Sequence, residues 1–178
     1  MAGLTAAQRA ARVKTVVLDV DGVLTDGRVI YDVDGREIKV FDIKDGHGLK
    51  LLMRAGVEVV LLSGRSSAAN RLRATELGIG ELKESVKVKL PVFKDLLAAR
   101  GIGPEQAAYM GDDLIDLPPM RLAGLALAPA DAVAEVRAAA HWVSARPGGR
   151  GAVRQACELI LRARGAWETV TARYHQPV

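Results

Sequence analysis

Thr15-Val16-Val17-Leu18-Asp19-Val20 is a continuous, largely β-branched run that is broken by Asp21-Gly22. A run of that kind, bounded by a glycine, reads as a buried central strand. Working outward, residues 57–62 form a second apolar run ending at Ser63-Gly64, and residues 107–110 a third, cut by Gly111-Asp112-Asp113. Residues 125–128 and 141–144 are further short strand candidates. Helical patterns lie between them: 49–55 stopped by Gly56, 66–77 closed by Gly78, 90–100 closed by Gly101, 114–122 with Pro118 and Pro119 as a local defect, 132–139, and the strongly amphipathic 152–164. The helices at 66–77 and 90–100 leave room for one short strand. Strands alternating with helices imply an α/β fold, a doubly wound Rossmann-like parallel sheet covered on both faces.

One segment departs from that alternation. Residues 28–42 hold two runs of alternating apolar and polar character around Asp34-Gly35, which is a β-hairpin signal. An Ala-rich helical lead-in precedes the first strand, and a tail, 165–178, follows the last helix. The 178 residues suffice for one core of ordinary size, so residues 1–178 are expected to form one domain.

Composition narrows the function. Lys and Arg number 25 against 21 Asp and Glu, scattered rather than blocked, a balance that suits an anionic substrate. Aromatics are 4% of the chain, too few for base-stacking platforms, so nucleic acid is set aside as a partner. The single cysteine, Cys157, lies in an apolar helical pattern, excludes an internal disulfide and fits a reducing compartment. No stretch approaches the roughly 20 apolar residues of a membrane span, and the N-terminus has no apolar core of signal-peptide length. No membrane association and a cytoplasmic location are expected. His47, His141 and His175 show no metal-ligand spacing.

In an open α/β sheet the ligand site lies at the carboxyl ends of the strands. The polar residues of this chain fall there: Asp19-Val20-Asp21-Gly22 after one strand, Ser63-Gly64-Arg65 after another, Gly111-Asp112-Asp113 after a third. Taken singly, each has a plainer reading: a turn or calcium-loop fragment, a helix cap, or, for Lys89, a solvated lysine at a helix start. Together they form a site. Carboxylates crowded at one edge repel unless a cation neutralises them, and Mg²⁺ with few protein carboxylates and a phosphate oxygen is the usual solution. With that charge in place a carboxylate can attack phosphorus and form an acyl phosphate.

The motifs LDVDGVLTDG (18–27), FDIKDGHGLK (41–50), LLSGR (61–65), the Lys-Leu of VKVKL (86–90), YMGDDLID (109–116) and GGRGAVR (148–154) together resemble the haloacid dehalogenase superfamily of phosphotransferases. The resemblance spans about residues 16–154. It implies Asp19 as nucleophile and Asp21 as general acid and base. It implies that Asp19, the backbone carbonyl of Asp21, and Asp112 hold Mg²⁺, that Ser63 and Lys89 grip the phosphoryl oxygens, and that Asp113 and Asp116 support the metal waters or Lys89.

Members of that superfamily usually close the site with a cap domain, and here only the hairpin at 28–42 stands in its place. The branch with such a minimal cap, which the chain resembles closely, implies a homotetramer in which hairpins associate and a neighbouring subunit helps close each pocket. It also implies a sugar acid phosphate as substrate: an octulosonate 8-phosphate on the route to lipopolysaccharide, or alternatively a nine-carbon sugar acid 9-phosphate. By the same resemblance Asp42, Ile43, Lys44, Asp45, Gly46, Lys50, Arg65 and Arg73 match substrate-binding positions, alongside Asp21 and Lys89. Lys44 and Lys50 stand where arginine is also common, and lysine lacks its bidentate fork. Residues 148–154 are expected to reach toward a neighbouring site. The reading from another class, a non-catalytic oligomeric module of the same fold, would call for loss of a nucleophile or metal carboxylate, and Asp19, Asp21, Lys89 and Asp112 are all present.

Overall fold

A computed structural model describes residues 3–175; the first two residues of the expected lead-in and the last three of the expected tail lie outside the described residues. In chain order the elements are α1 (Ala6–Ala10), β1 (Thr15–Leu18), β2 (Ile30–Tyr31), β3 (Glu37–Ile38), α2 (Ile43–Arg54), β4 (Glu58–Leu62), α3 (Ala68–Leu77), β5 (Glu81–Lys83), α4 (Lys89–Arg100), β6 (Ala107–Met110), α5 (Leu117–Leu122), β7 (Leu125–Ala128), α6 (Ala134–Ala139), β8 (Trp142–Val143), α7 (Ala152–Ala163) and α8 (Trp167–Thr171). Six strands form one sheet in the order β5-β4-β1-β6-β7-β8, every neighbouring pair parallel. The chain leaves β1 toward β4 and β5, then returns to β6 on its other side. β1 is therefore the switch point of the sheet, where the loops at the carboxyl ends diverge and open a crevice.

The apolar runs behave as two-faced central strands. Along β1, Val16 and Leu18 enter one core with α2 and α7, while Val17 points into the other with Phe93, Leu96 and Leu97 of α4. That alternation is the period of two, and a strand covered on both faces needs apolar residues at every position. α7 shows the helical counterpart: Ala152, Val153, Ala156, Cys157, Ile160 and Leu161 are all buried, a stripe at a period of 3.6.

Several boundaries differ from the sequence expectation for local reasons. α2 starts at Ile43 rather than 49, because the Asp42 carboxylate accepts from the backbone N–H of Lys44 and Asp45 and caps it. Gly46 and Gly48 hid that first turn. A Cβ on Gly48 would meet Arg154 Cδ at 3.1 Å and Cys157 Cβ at 3.2 Å, so the glycine lets α2 and α7 approach closely. Pro118 and Pro119 are no defect: they sit in the first turn of α5, after a 3₁₀ turn at Leu114–Asp116, where N–H groups lack intrahelical partners in any case. The described part of the tail, 165–175, forms α8 and a 3₁₀ turn at Ala172–Tyr174.

The hairpin at 28–42 is present but spare. β2 and β3 pair only with each other, Ile30 with Ile38 and Tyr31 with Glu37, and Asp32 closes the turn by accepting from the N–H of Asp34 and Arg36. Val29, Ile30, Tyr31, Val33, Ile38 and Val40 are exposed.

Candidate active site

β1 ends at Leu18, so Asp19 is the first residue beyond the switch-point strand. Its N–H donates to the Met110 carbonyl at the end of β6, which fixes the backbone between two strands. Its side chain is only 7% exposed. One oxygen accepts from the Val20 N–H at 2.7 Å, and the other lies 2.9 Å from Lys89 Nζ. Lys89, the first residue of α4, is itself buried and donates to Asp116 Oδ1 at 2.7 Å.

Asp116 is the hub of the β6 loop. Its Oδ1 also accepts from the Tyr109 hydroxyl at 2.8 Å, while Oδ2 accepts from the N–H of Asp112 at 3.2 Å and of Asp113 at 3.4 Å. A buried carboxylate is tolerable only with such a full set of donors. The 3₁₀ turn at Leu114–Asp116 brings it back under the loop, and Asp113 caps that turn through Leu114 N–H. Asp112 stands opposite Asp19. Gly22 makes room for it: at φ +85° it takes a conformation that suits glycine, and a Cβ there would overlap the Asp112 carboxylate.

The charges do not balance. Asp19, Asp112 and Asp116 each bring a carboxylate oxygen within 4.8 Å of the others, with one ammonium among them. Burial, then the Asp116 charge, lifts the Asp19 pKa to about 6 against the pull of Lys89. Burial, then Asp19 and Asp116, lifts Asp112 to about 8. For Lys89 burial opposes the charge, yet Asp19 and Asp116 outweigh it and hold the pKa above the ordinary lysine value. Asp112 Oδ1 is buried and, among the described residues, has no hydrogen-bond partner. A hard dication fits this set: Asp112 and Asp19, the latter with a single donor on each oxygen, keep lone pairs to offer it, whereas each oxygen of Asp116 already accepts from two donors.

Ser63 follows β4, next to β1. It is buried, and its Oγ accepts from the Arg65 N–H at 3.1 Å, which leaves the hydroxyl proton to donate elsewhere. Asp19, Asp21, Gly27, Gly64, Arg65, Asp112, Asp113 and Ile115 line a cleft of about 210 Å³. Broader depressions lie at the amino ends of the strands, around Glu58, Glu81 and Arg100, where those charges pair with one another.

Other expected substrate positions lie apart from the cleft in this chain. The Asp42 carboxylate is the α2 cap, and the buried Asp45 carboxylate accepts from the N–H of Gly151 and Arg154, holding the start of α7. In this chain Asp42 Oδ1 and both oxygens of Asp45 thus serve helix starts. Arg73 donates to the Asp42 carbonyl at 3.1 Å, pairs with Glu76 and covers the Phe41 ring, tying α3 to α2 and pressing on Gly46. Ile43, Lys44 and Lys50 are exposed on α2. Residues 148–154, expected to reach toward a neighbour, pack on their own chain. Gly149 N–H donates to the Val23 carbonyl, and Cβ atoms on Gly148 or Gly149 would collide with the backbone at Gly22 and Thr25. His47 meets the Tyr174 ring in a tilted contact, centroids 5.6 Å apart, and His141 Nδ1 accepts from the Ala126 N–H.

Two residues at the cleft escaped sequence reasoning. Lys39 Nζ lies 2.6 Å from Asp21 Oδ1 with its side chain 2% exposed, and Glu37 Oε1 lies 2.6 Å from Arg65. The alternation in Glu37-Ile38-Lys39-Val40 held the signal, but in reversed sense: Glu37 and Lys39 face inward, and Ile38 and Val40 face solvent.

No family model matches the chain. A 3-deoxy-D-manno-octulosonate 8-phosphate phosphatase of Yersinia pestis is 42% identical over 164 residues, covering 92% of this chain and 88% of that protein. The same phosphatase of Moraxella catarrhalis, solved in complex with magnesium, phosphate and the sugar acid, superposes with TM-score 0.93 at 38% identity over 96% of this chain and 98% of that one. The cobalt-bound phosphatase of Haemophilus influenzae superposes with TM-score 0.88 at 41% identity over 93% and 98%. With the buried Asp19–Lys89–Asp116 constellation at the switch point of the sheet and these likenesses over nearly its whole length, the chain belongs to the 3-deoxy-D-manno-octulosonate 8-phosphate phosphatase family of the haloacid dehalogenase superfamily.

Proposed function

We propose that this chain is a magnesium-dependent phosphomonoesterase that releases phosphate from 3-deoxy-D-manno-octulosonate 8-phosphate, in the cytoplasmic supply of sugar acid for lipopolysaccharide. The observation that carries the reading is the buried Asp19 carboxylate, paired with Lys89 and facing an Asp112 oxygen that has no partner. The names of its relatives favour the eight-carbon sugar acid over the nine-carbon alternative.

Magnesium, held by Asp19, Asp112 and the backbone carbonyl of Asp21, supplies positive charge where the phosphoryl oxygens gather. Lys89 keeps Asp19 ionised and ready, and with the Ser63 hydroxyl it binds phosphoryl oxygens. The Asp19 carboxylate attacks phosphorus, the bond from phosphorus to the sugar oxygen breaks, and Asp21 gives its proton to the leaving oxygen. Asp21, now a carboxylate, takes a proton from water; the resulting hydroxide attacks the aspartyl phosphate, the bond from phosphorus to Asp19 breaks, and inorganic phosphate leaves. Asp113 and Asp116 act from behind, Asp116 by holding Lys89 and the Asp112 loop.

We read residues 1–178 as one catalytic domain with a flap at 28–42 and a tail at 165–178. A cleft of about 210 Å³ falls below the roughly 300–1,000 Å³ that encloses a ligand of sugar-acid size. The exposed apolar face of the flap supports a homotetramer in which a second copy covers it and closes the pocket, bringing Lys44, Lys50 and Arg73 into use. Phosphate release from the octulosonate ester, measured with and without Mg²⁺, tests the reaction. Activity in Asp19→Asn equal to the unaltered chain would refute the covalent route, and a monomer in sedimentation would refute the assembly.

A further inference from the structure

Lys39 is the one inward-facing cation of the flap, and the mechanism above does not use it. Its ammonium donates to Asp21 Oδ1 at 2.6 Å, while its next acidic neighbour, Glu37 Oε2, stands at 3.9 Å. The Lys39 side chain is 2% exposed against 26% for Asp21. An enclosed ammonium needs a close acceptor: Asp21 Oδ1 is that acceptor and Glu37 adds negative charge beyond it, so the contact fixes both groups and leaves Oδ2 to carry the proton that Asp21 transfers. Asp21 has no other cation as close: Arg65 Nε lies at 4.0 Å from the second oxygen, and its guanidinium is claimed by Glu37 at 2.6 Å. Backbone constraints near Asp21 act on its main chain, since the Gly22 N–H is held by Thr25 Oγ1. The direction of the Asp21 carboxylate is thus set from the flap.

We infer that Lys39 is a positioning residue for the proposed reaction, holding Asp21 by Oδ1 and so aiming the protonated Oδ2 of its carboxyl group at the leaving oxygen of the substrate. This rests on the reading of Asp21 as the group that protonates that oxygen. The two-residue strands of the flap pair only with each other, and an isolated pair of strands is marginal on its own. The Lys39–Asp21 and Glu37–Arg65 contacts therefore also seat the flap, so flap position and acid orientation are one variable.

The test separates aiming from mere seating by the leaving group. A poor, alkoxide leaving group needs a proton from a well-placed acid, whereas p-nitrophenolate departs without one. For Lys39→Met, kcat/KM on octulosonate 8-phosphate is expected to fall about 10-fold to 100-fold, and on p-nitrophenyl phosphate by less than about 3-fold. Lys39→Arg, which keeps a donor toward Asp21, recovers part of the loss on the sugar ester. Equal losses on both esters, or none on either, overturn the inference. If Lys39→Met melts below assay temperature, Lys39→Gln is compared on the same two esters with the same criteria. Absence of phosphate release from both esters by the unaltered protein would instead strike the reaction itself.

Discussion

Lys89 Nζ lies 2.9 Å from Asp19 and 2.7 Å from Asp116, and no part of the lysine side chain reaches solvent. The lysine serves two carboxylates of unlike duty, one facing the cleft and one supporting the loop that carries Asp112. Lys89→Met leaves both buried and unpaired. The expected result is a loss of roughly 3–5 kcal/mol of stability near neutral pH in the metal-free protein, read by denaturant unfolding. Phosphate release falls by about 100-fold to 1,000-fold in the same variant, because a group that offsets phosphoryl charge is gone. Wild-type stability in that variant would show the pair to be weakly coupled to the fold.

Asp112 gives the opposite pairing of effects. Its Oδ1 lacks any partner, and burial with two neighbouring carboxylates opposes its ionisation. Asp112→Asn removes that repulsion and one ligand oxygen together. The metal-free variant should melt higher than the unaltered protein, by roughly 2–4 °C for each 1 kcal/mol of strain relieved. Addition of Mg²⁺ should then shift its melting temperature little, and phosphate release should be lost. A large Mg²⁺-induced shift in Asp112→Asn would mean that the ion is held elsewhere.

The acids of this site were legible because their signal is short-range: each follows an apolar strand, and parallel strands place their carboxyl ends together. That topology was enough to bring Asp19, Ser63 and Asp112 to one edge, and the resemblance supplied their expected roles. Lys39 was not legible, because a polar residue in a hairpin faces solvent by default, and only a flap folded over the cleft reverses the rule. Asp45 entered as a substrate-binding position only through the resemblance, and its contact with the start of α7, more than a hundred residues away, is one that no local pattern announces. The start of α2 was missed for a related reason, since two glycines that serve helix packing look like loop punctuation.

Gly22 and Gly148 are held by contact as well as by conformation. A Cβ at Gly22 would overlap the Asp112 carboxylate, and one at Gly148 would strike the backbone of Gly22 and Thr25. Gly22 also sits at φ +85°. Gly22→Ala should thus displace Asp112, with a loss of Mg²⁺ affinity that exceeds its loss of stability. Gly148→Ala pushes on rigid backbone, and a cost of about 1–3 kcal/mol is expected, typical of overpacking. Calorimetric titration of Mg²⁺ beside thermal melts separates the two. Unchanged Mg²⁺ affinity in Gly22→Ala would show that Asp112 has room to retreat.

The raised acids also fix how stability depends on pH. A free aspartate titrates near 3.8, whereas in the folded, metal-free protein Asp19 titrates near 6 and Asp112 near 8. Between those values the folded state holds protons that the unfolded chain has released, so stability falls as pH rises. Each group contributes a slope of at most about 1.4 kcal/mol per pH unit, Asp19 over the range from about 4 to 6 and Asp112 from about 4 to 8. The metal-free protein should therefore melt at a lower temperature at pH 8 than at pH 5. Magnesium reverses the trend, because it binds the deprotonated carboxylates and its stabilisation grows with their ionisation. The Mg²⁺-induced rise in melting temperature should be larger at pH 8 than at pH 5, and Asp112→Asn should flatten the metal-free slope above pH 6. A metal-free melting temperature that climbs steadily from pH 5 to pH 8 would mean that these acids are already compensated within the chain, leaving the site no need of a cation.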